Sequence, residues 1–168
     1  MIFALFSMTK PLTKSREIRL LLDNIRSVHN VGSIFRTAEA GGISMIYCLG
    51  TTPVPVDRFN RPRKDLVKVA LGAEKLIPWQ SVKNGKKLIE SLKKEGFKIL
   101  ALEQAPGSID YRNVKKFNKV LIILGNEVVG VSKKLLDLAD IVAEIPMKGQ
   151  KESLNVSVAV GVMIFAID

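Results

Sequence analysis

Along this chain, short apolar runs alternate with stretches that are apolar on one face only. Ile18–Asp23 is apolar and ends at a polar Asp23-Asn24, which predicts a first strand. Val31, Ile34, Phe35 and Ala38 then recur at helical spacing within Val28–Ala40, with Asn30 as the expected cap and Gly41-Gly42 as the stop. Ile43–Leu49 predicts a second strand. Gly50–Lys64, with three prolines, predicts a long exposed loop. A short helix at Asp65–Ala70 stopped by Gly72 follows, then a short strand at Lys75–Trp79. Lys83–Glu95 sets lysines against Leu88, Ile89 and Leu92, the mark of a surface helix, and Gly96 ends it. Phe97–Leu102 predicts a strand and Glu103–Asn113 a loop. Lys119–Leu124 is apolar almost throughout, as in strands buried on both faces of a parallel sheet. After a Gly125–Val131 loop come a short helix at Ser132–Ala139, a last strand at Ile141–Ile145 and an apolar core or interface helix at Val156–Ile167.

Strands alternating with helices imply an α/β fold, a parallel sheet flanked by helices. Ligands of such sheets bind outside the carboxyl ends of the strands. Three polar clusters, after Asp23, after Leu124 and after Ile145, fall at such ends. With no internal repeat or low-complexity linker, the expected organisation is an extension over residues 1–15 and one domain over 16–168.

Composition narrows the class. A hydrophobic fraction of 47% in 168 residues is that of a globular chain with a full core. A net charge of +10 favours a polyanionic partner, nucleic acid before membrane. The lone Cys48 forbids an internal disulfide and fits a reducing cytoplasm, and a single histidine beside it sets aside a structural zinc site. No segment is long enough to span a bilayer, and Ile2–Phe6 lacks the flanks of a signal peptide.

The polar clusters carry the candidate chemistry. Ser153 sits where a cap of the last helix is expected, with Asn155 and Ser157 in its first turn beside free amides. Gly125 to Gly130 has the spacing of a phosphate loop, but Val131 stands where that loop needs lysine, which sets aside a nucleotide triphosphatase. Glu127 in this loop is either a hydrogen-bond acceptor or a solvated carboxylate. Arg36 is placed to point off the core face of its helix, its planar fork suited to phosphate or carboxylate, with Glu39 as the alternative partner. His29 and Ser153 do not make a serine triad, because no G-x-S-x-G elbow surrounds Ser153.

Asn24–Ala38 resembles the first motif of the TrmH-type (SpoU) RNA ribose methyltransferases of the SPOUT superfamily. Leu124–Val131 resembles their second motif, and Ile145-Pro146-Met147 with Ser153-Leu154-Asn155-Val156-Ser157 their third. The order and separations also match over most of the chain. The departures are the charged Lys148–Glu152 loop and Val128-Val129, where many members carry a more polar pair.

The resemblance implies a C-terminal deep trefoil knot over about 121–168, with S-adenosyl-L-methionine held in it by Leu102, Gly125, Ile145, Met147, Ser153 and Leu154. It implies methyl transfer to a ribose 2′-hydroxyl of RNA with no metal, and the small size of the chain puts tRNA ahead of rRNA as the expected substrate. Arg36 would act at the hydroxyl, Asn30 and Glu127 would position it or the ribose, and Ser153 and Asn155 would fix the third motif. It also implies a homodimer. Candidates for phosphate contacts are Arg26, Arg58, Arg61, Arg63 and Lys64, together with Lys10, Lys14 and Arg16. The alternatives are a non-catalytic RNA-binding protein that retains the knot, and an RNA base methyltransferase.

Overall fold

The computed structural model describes residues 16–167. The expected extension over 1–15, with Lys10 and Lys14, lies outside them. Among the described residues seven strands form one sheet: β1 (Glu17–Asp23), β2 (Met45–Leu49), β3 (Trp79–Val82), β4 (Lys98–Leu102), β5 (Ile109–Asp110), β6 (Lys119–Leu124) and β7 (Ile141–Glu144). Their order is β3-β2-β1-β6-β4-β7-β5, and every pairing between them is parallel. All strands therefore end on the same edge. The helices are α1 (Val28–Ala40), α2 (Lys64–Ala70), α3 (Ala73–Leu76), α4 (Gly85–Lys94), α5 (Lys133–Leu136) and α6 (Val156–Ile167).

Period-two alternation divides the core between the two faces of the sheet. Leu20, Leu22, Leu100, Ile122 and Leu124 face a layer containing Ile34 and Phe35 of α1, Leu66 of α2 and Met163 and Ile164 of α6. Leu21, Ile99, Leu121 and Ile123 face Ile89 and Leu92 of α4 and Leu135 of α5. The central strands β1 and β6 are covered on both sides, which is why they read as unbroken apolar runs.

Four expectations change. The predicted strand at Lys75–Trp79 is instead α3 followed by β3: Ala73–Leu76 are good helix formers, and Pro78 breaks the chain before Trp79 pairs with Ile46. The predicted Glu103–Asn113 loop contains the edge strand β5 and a 3-10 turn at Tyr111–Asn113. Asn30 does not cap α1, because Ser27 does, its Oγ accepting from Asn30 N at 3.2 Å. Ser153 does not cap α6: Asn155 does, accepting from Ser157 N at 2.8 Å and Ser157 Oγ at 2.7 Å.

Among the described residues no helix is long and apolar enough to cross a membrane. Cys48 is buried in β2, and burial pushes its thiol up to about 12. The thiolate is the reactive form. We therefore expect Ellman's reagent at pH 8 to leave Cys48 unlabelled in the folded protein and to label it at once in denaturant. Rapid labelling without denaturant would show that β2 opens.

Candidate active site

The carboxyl edge of β4, β6 and β7 opens into a cleft of about 410 Å³, within the range of small-molecule sites. Gly125 and Asn126 follow β6, Glu103 and Gln104 follow β4, and Glu144, Ile145 and Met147 come from the end of β7. Ser153–Val156, the entry to α6, form the facing wall. All six expected S-adenosylmethionine contacts, Leu102, Gly125, Ile145, Met147, Ser153 and Leu154, line this one cleft.

The loop after β6 is folded tightly on itself. Asn126 and Gly130 exchange backbone hydrogen bonds at 3.0 and 2.9 Å, and Asn126 Oδ1 accepts from Val128 N and Val129 N. A Cβ on Gly125 would run into the backbone of Gly130 and Val131, so only glycine fits there. Gly130 has φ 71° and lies against the Glu103 carboxylate. Glu103 Oε2 accepts from Val131 N at 2.7 Å, tying the loop to the end of β4.

Glu127 projects from this loop to the start of α1. Its Oε2 accepts from Arg26 N at 3.0 Å, and its Oε1 accepts from Ser27 N at 3.1 Å and Asn30 Nδ2 at 2.8 Å. Partial burial pushes this carboxyl up, but the N–H donors of Arg26, Asn30, Ser27 and Glu127 itself outweigh it, and the group titrates below its ordinary value. The chain of bonds continues: Asn155 Nδ2 donates to Asn30 Oδ1 at 3.0 Å. Asn30 is 8% exposed, so its amide is oriented by two opposite partners, a carboxylate and an amide. Thus Asn30, Glu127 and Asn155 meet, one from each polar cluster.

Ser153 also lines the cleft but is exposed and makes no hydrogen bond among the described residues. Arg36 is not brought to the cleft. It lies six residues beyond Asn30, about 9 Å further along α1 and about 120° around it. Its side chain is exposed, and no Arg36–Glu39 ion pair is found among the described residues.

Of the RNA candidates, Arg26 follows β1, and Arg58, Arg61 and Arg63 lie in the loop after β2, on the carboxyl edge, whereas Arg16 precedes β1 on the opposite edge. Arg26 is exposed beside Glu127. Arg61 pairs with Asp57 at 2.8 Å, Arg63 with Asp65 at 3.2 Å, and Lys64 is exposed at the first turn of α2. Arg16 is spoken for, its Nη1 donating to Ile167 O at 2.8 Å. Among the described residues, no group of three or more His, Cys, Asp and Glu is gathered to hold a metal.

Three supporting residues escaped the sequence reading. Asp23, buried at the end of β1, accepts from Ser132 N at 2.8 Å and from Asn24 Nδ2 at 2.8 Å. Asn126 donates to Asn24 O at 2.7 Å, and Glu103 holds Val131. The available signal was an acid or amide at the carboxyl end of an apolar strand or within two residues of it, at Asp23, Glu103 and Asn126.

A family model described as the SpoU rRNA Methylase family matches residues 17–165. A TrmH-family protein of Staphylococcus aureus (strain COL) is 34% identical over 148 residues, which is 88% of this chain and 57% of the relative. The chain thus spans just over half the length of that relative. The S-adenosylmethionine-bound rRNA methyltransferase of Sinorhizobium meliloti superposes with a TM-score of 0.80 at 34% identity, covering 90% of this chain and 55% of the other. The TrmH/SpoU tRNA modifying enzyme of A. aeolicus gives 0.79 at 27%, covering 91% and 74%.

The carboxylate at the centre of the network has a testable consequence. Its folded pKa is below the ordinary 4.5, so the ionised form adds stability above that value and the contribution is lost as pH falls through the folded value. Glu127 is exposed and solvent screens its charge, so Glu127→Gln should cost about 0.5–1 kcal/mol at pH 7 by urea denaturation, and the difference from wild type should shrink in acid. An equal cost at both pH values would remove the charge from the explanation.

Proposed function

Because the chain belongs to the SpoU rRNA methylase family, we propose that it transfers a methyl group from S-adenosylmethionine to a ribose 2′-hydroxyl of RNA. The observation that carries the reading is the joining of Asn30, Glu127 and Asn155 at the mouth of a cleft lined by Leu102, Gly125, Ile145, Met147, Ser153 and Leu154. The cleft suits such a co-substrate. Leu102, Ile145 and Leu154 offer apolar walls for an adenine, and Glu103 and Glu144 offer negative charge to a cationic ligand. When bound, S-adenosylmethionine supplies an activated methyl on a positively charged sulfur, which leaves as a neutral thioether. The solved relatives named above are described as acting on rRNA in one case and tRNA in the other. RNA is therefore the substrate class proposed here.

The protein's part is alignment and electrostatics. Glu127 and Asn30 fix the start of α1 against the loop after β6, and Asn155 fixes the wall opposite. Arg36 is too basic to take the hydroxyl proton. It stabilises the developing alkoxide while that proton leaves to solvent. Because Arg36 lies outside its own cleft, the reading includes a homodimer in which a second copy brings it to the reacting hydroxyl. Apolar side chains on α6, Val158 at 51% and Phe165 at 60% exposure, support such an interface. The reading also includes the trefoil knot over about 121–168, supported by the insertion of β4 between β6 and β7 and by the bond from Gln104 Nε2 to Glu152 O at 2.8 Å.

Incubation with labelled S-adenosylmethionine and undermethylated RNA, then digestion to nucleosides, tests the chemistry. We expect label in 2′-O-methylnucleosides, lowered about 100- to 1,000-fold by Arg36→Ala, with S-adenosylmethionine affinity unchanged in that variant. Label on a base would replace the ribose reading. RNA binding without transfer, in wild type supplied with each RNA class, would favour a non-catalytic RNA-binding protein.

A further inference from the structure

The loop between β2 and α2 ends in a small ordered tip. Val56 bridges to Pro62 across it, and Asp57 braces it from within. The Asp57 carboxylate accepts from Phe59 N at 2.8 Å, Arg61 N at 3.0 Å and Arg61 Nε at 2.9 Å, while Asn60 turns the chain with φ 58°. Those donors, the Arg61 backbone and side chain foremost, hold the Asp57 carboxyl below the usual range.

This bracing presents an aromatic ring to solvent. Phe59 is 61% exposed, and the guanidinium carbons of Arg58 and Arg61 lie 4.8 and 4.9 Å from its ring centroid. A braced turn holding an apolar ring outward between two cations contributes nothing to the core. It has the composition of a single-stranded nucleic-acid platform, where a ring stacks a base and neighbouring cations meet the phosphates. The two arginines differ. Asp57 anchors Arg61, whereas Arg58 has no ion pair or hydrogen bond among the described residues and is free to leave the ring.

The topology places the tip on the working side of the molecule. β2 runs parallel to β1 and β6, so its following loop leaves from the same edge as the cleft, two strand positions from β6, or about 10 Å. Asn24 Oδ1 accepts from Thr51 N at 3.1 Å, tying the root of this loop to the segment that leads into α1.

We propose that Phe59 is a stacking platform for an unpaired RNA base near the target nucleotide, with Arg58 giving up its place on the ring to contact phosphate. The proposal rests on the RNA reading above. It makes the substrate an RNA whose methylated region is single-stranded, a loop or a bulge rather than a continuous duplex.

The test is binding of a fluorescein-labelled single-stranded RNA of mixed sequence, and of the same strand annealed to its complement, by wild type, Phe59→Leu, Phe59→Trp and Arg58→Ala. Thermal melts come first, and equal melting temperatures are expected because Phe59 is exposed. Phe59→Leu, apolar but without a ring face, should weaken single-strand binding about 5- to 100-fold and leave duplex binding and the salt slope unchanged. Phe59→Trp should retain single-strand affinity. Arg58→Ala should flatten the salt slope by about one unit. Wild-type affinity in Phe59→Leu, or an equal loss on duplex, would overturn the stacking role while RNA binding itself stands. No binding of either RNA by wild type would overturn both this proposal and the RNA reading, and labelled S-adenosylmethionine binding would show whether the cleft reading survives.

Discussion

A carboxylate that gathers three N–H donors holds this protein's working edge together. Glu127 lies in a tight turn after β6 and faces three N–H donors from the segment that starts α1. The donors at a helix start have no partners within their own helix. A charge supplied from a hundred residues away satisfies them and also fixes where that helix stands relative to the sheet. Asn30 passes the constraint on, because an amide held at one end by a carboxylate presents its oxygen in only one direction, towards Asn155. The cleft walls are therefore registered to one another by polar bonds, above an apolar core that packs the helices on the strands.

That division explains what the sequence could and could not convey. Periodicity located β1, β6 and α1 closely, because each buries a face against many neighbours. It failed at Lys75–Trp79, where the apolar Leu76-Ile77 belongs half to a short helix and half to a connection. A two-residue edge strand such as Ile109–Asp110 is held by its neighbour β7 and carries too little pattern of its own to announce itself.

The site was legible through motifs rather than through periodicity. Resemblance singled out Asn30, Glu127 and Asn155 as three separate motif residues, and in the structure all three meet. Their local roles were less accessible: Asn30 and Ser153 have the chemistry of caps, yet Ser27 and Asn155 perform that task. Which of several polar residues caps a helix depends on where the chain turns, and tertiary partners decide that. Arg36 shows the same limit from the other side, for its distance from the cleft follows from helix geometry once Asn30 is fixed as the near point. Asp23, Glu103 and Asn126 bind backbone groups of other segments, and such partners leave no spacing rule in a linear chain.

Hydrogen exchange, followed with and without saturating S-adenosylmethionine, tests the central claim most directly. If the cleft tied together by Glu127 is the co-substrate site, exchange should slow at the amides of 125–131 and 145–155, with smaller slowing at Arg26 and Ser27 through their bonds to Glu127. Unchanged exchange in both segments, or protection confined to another part of the sheet, would contradict it.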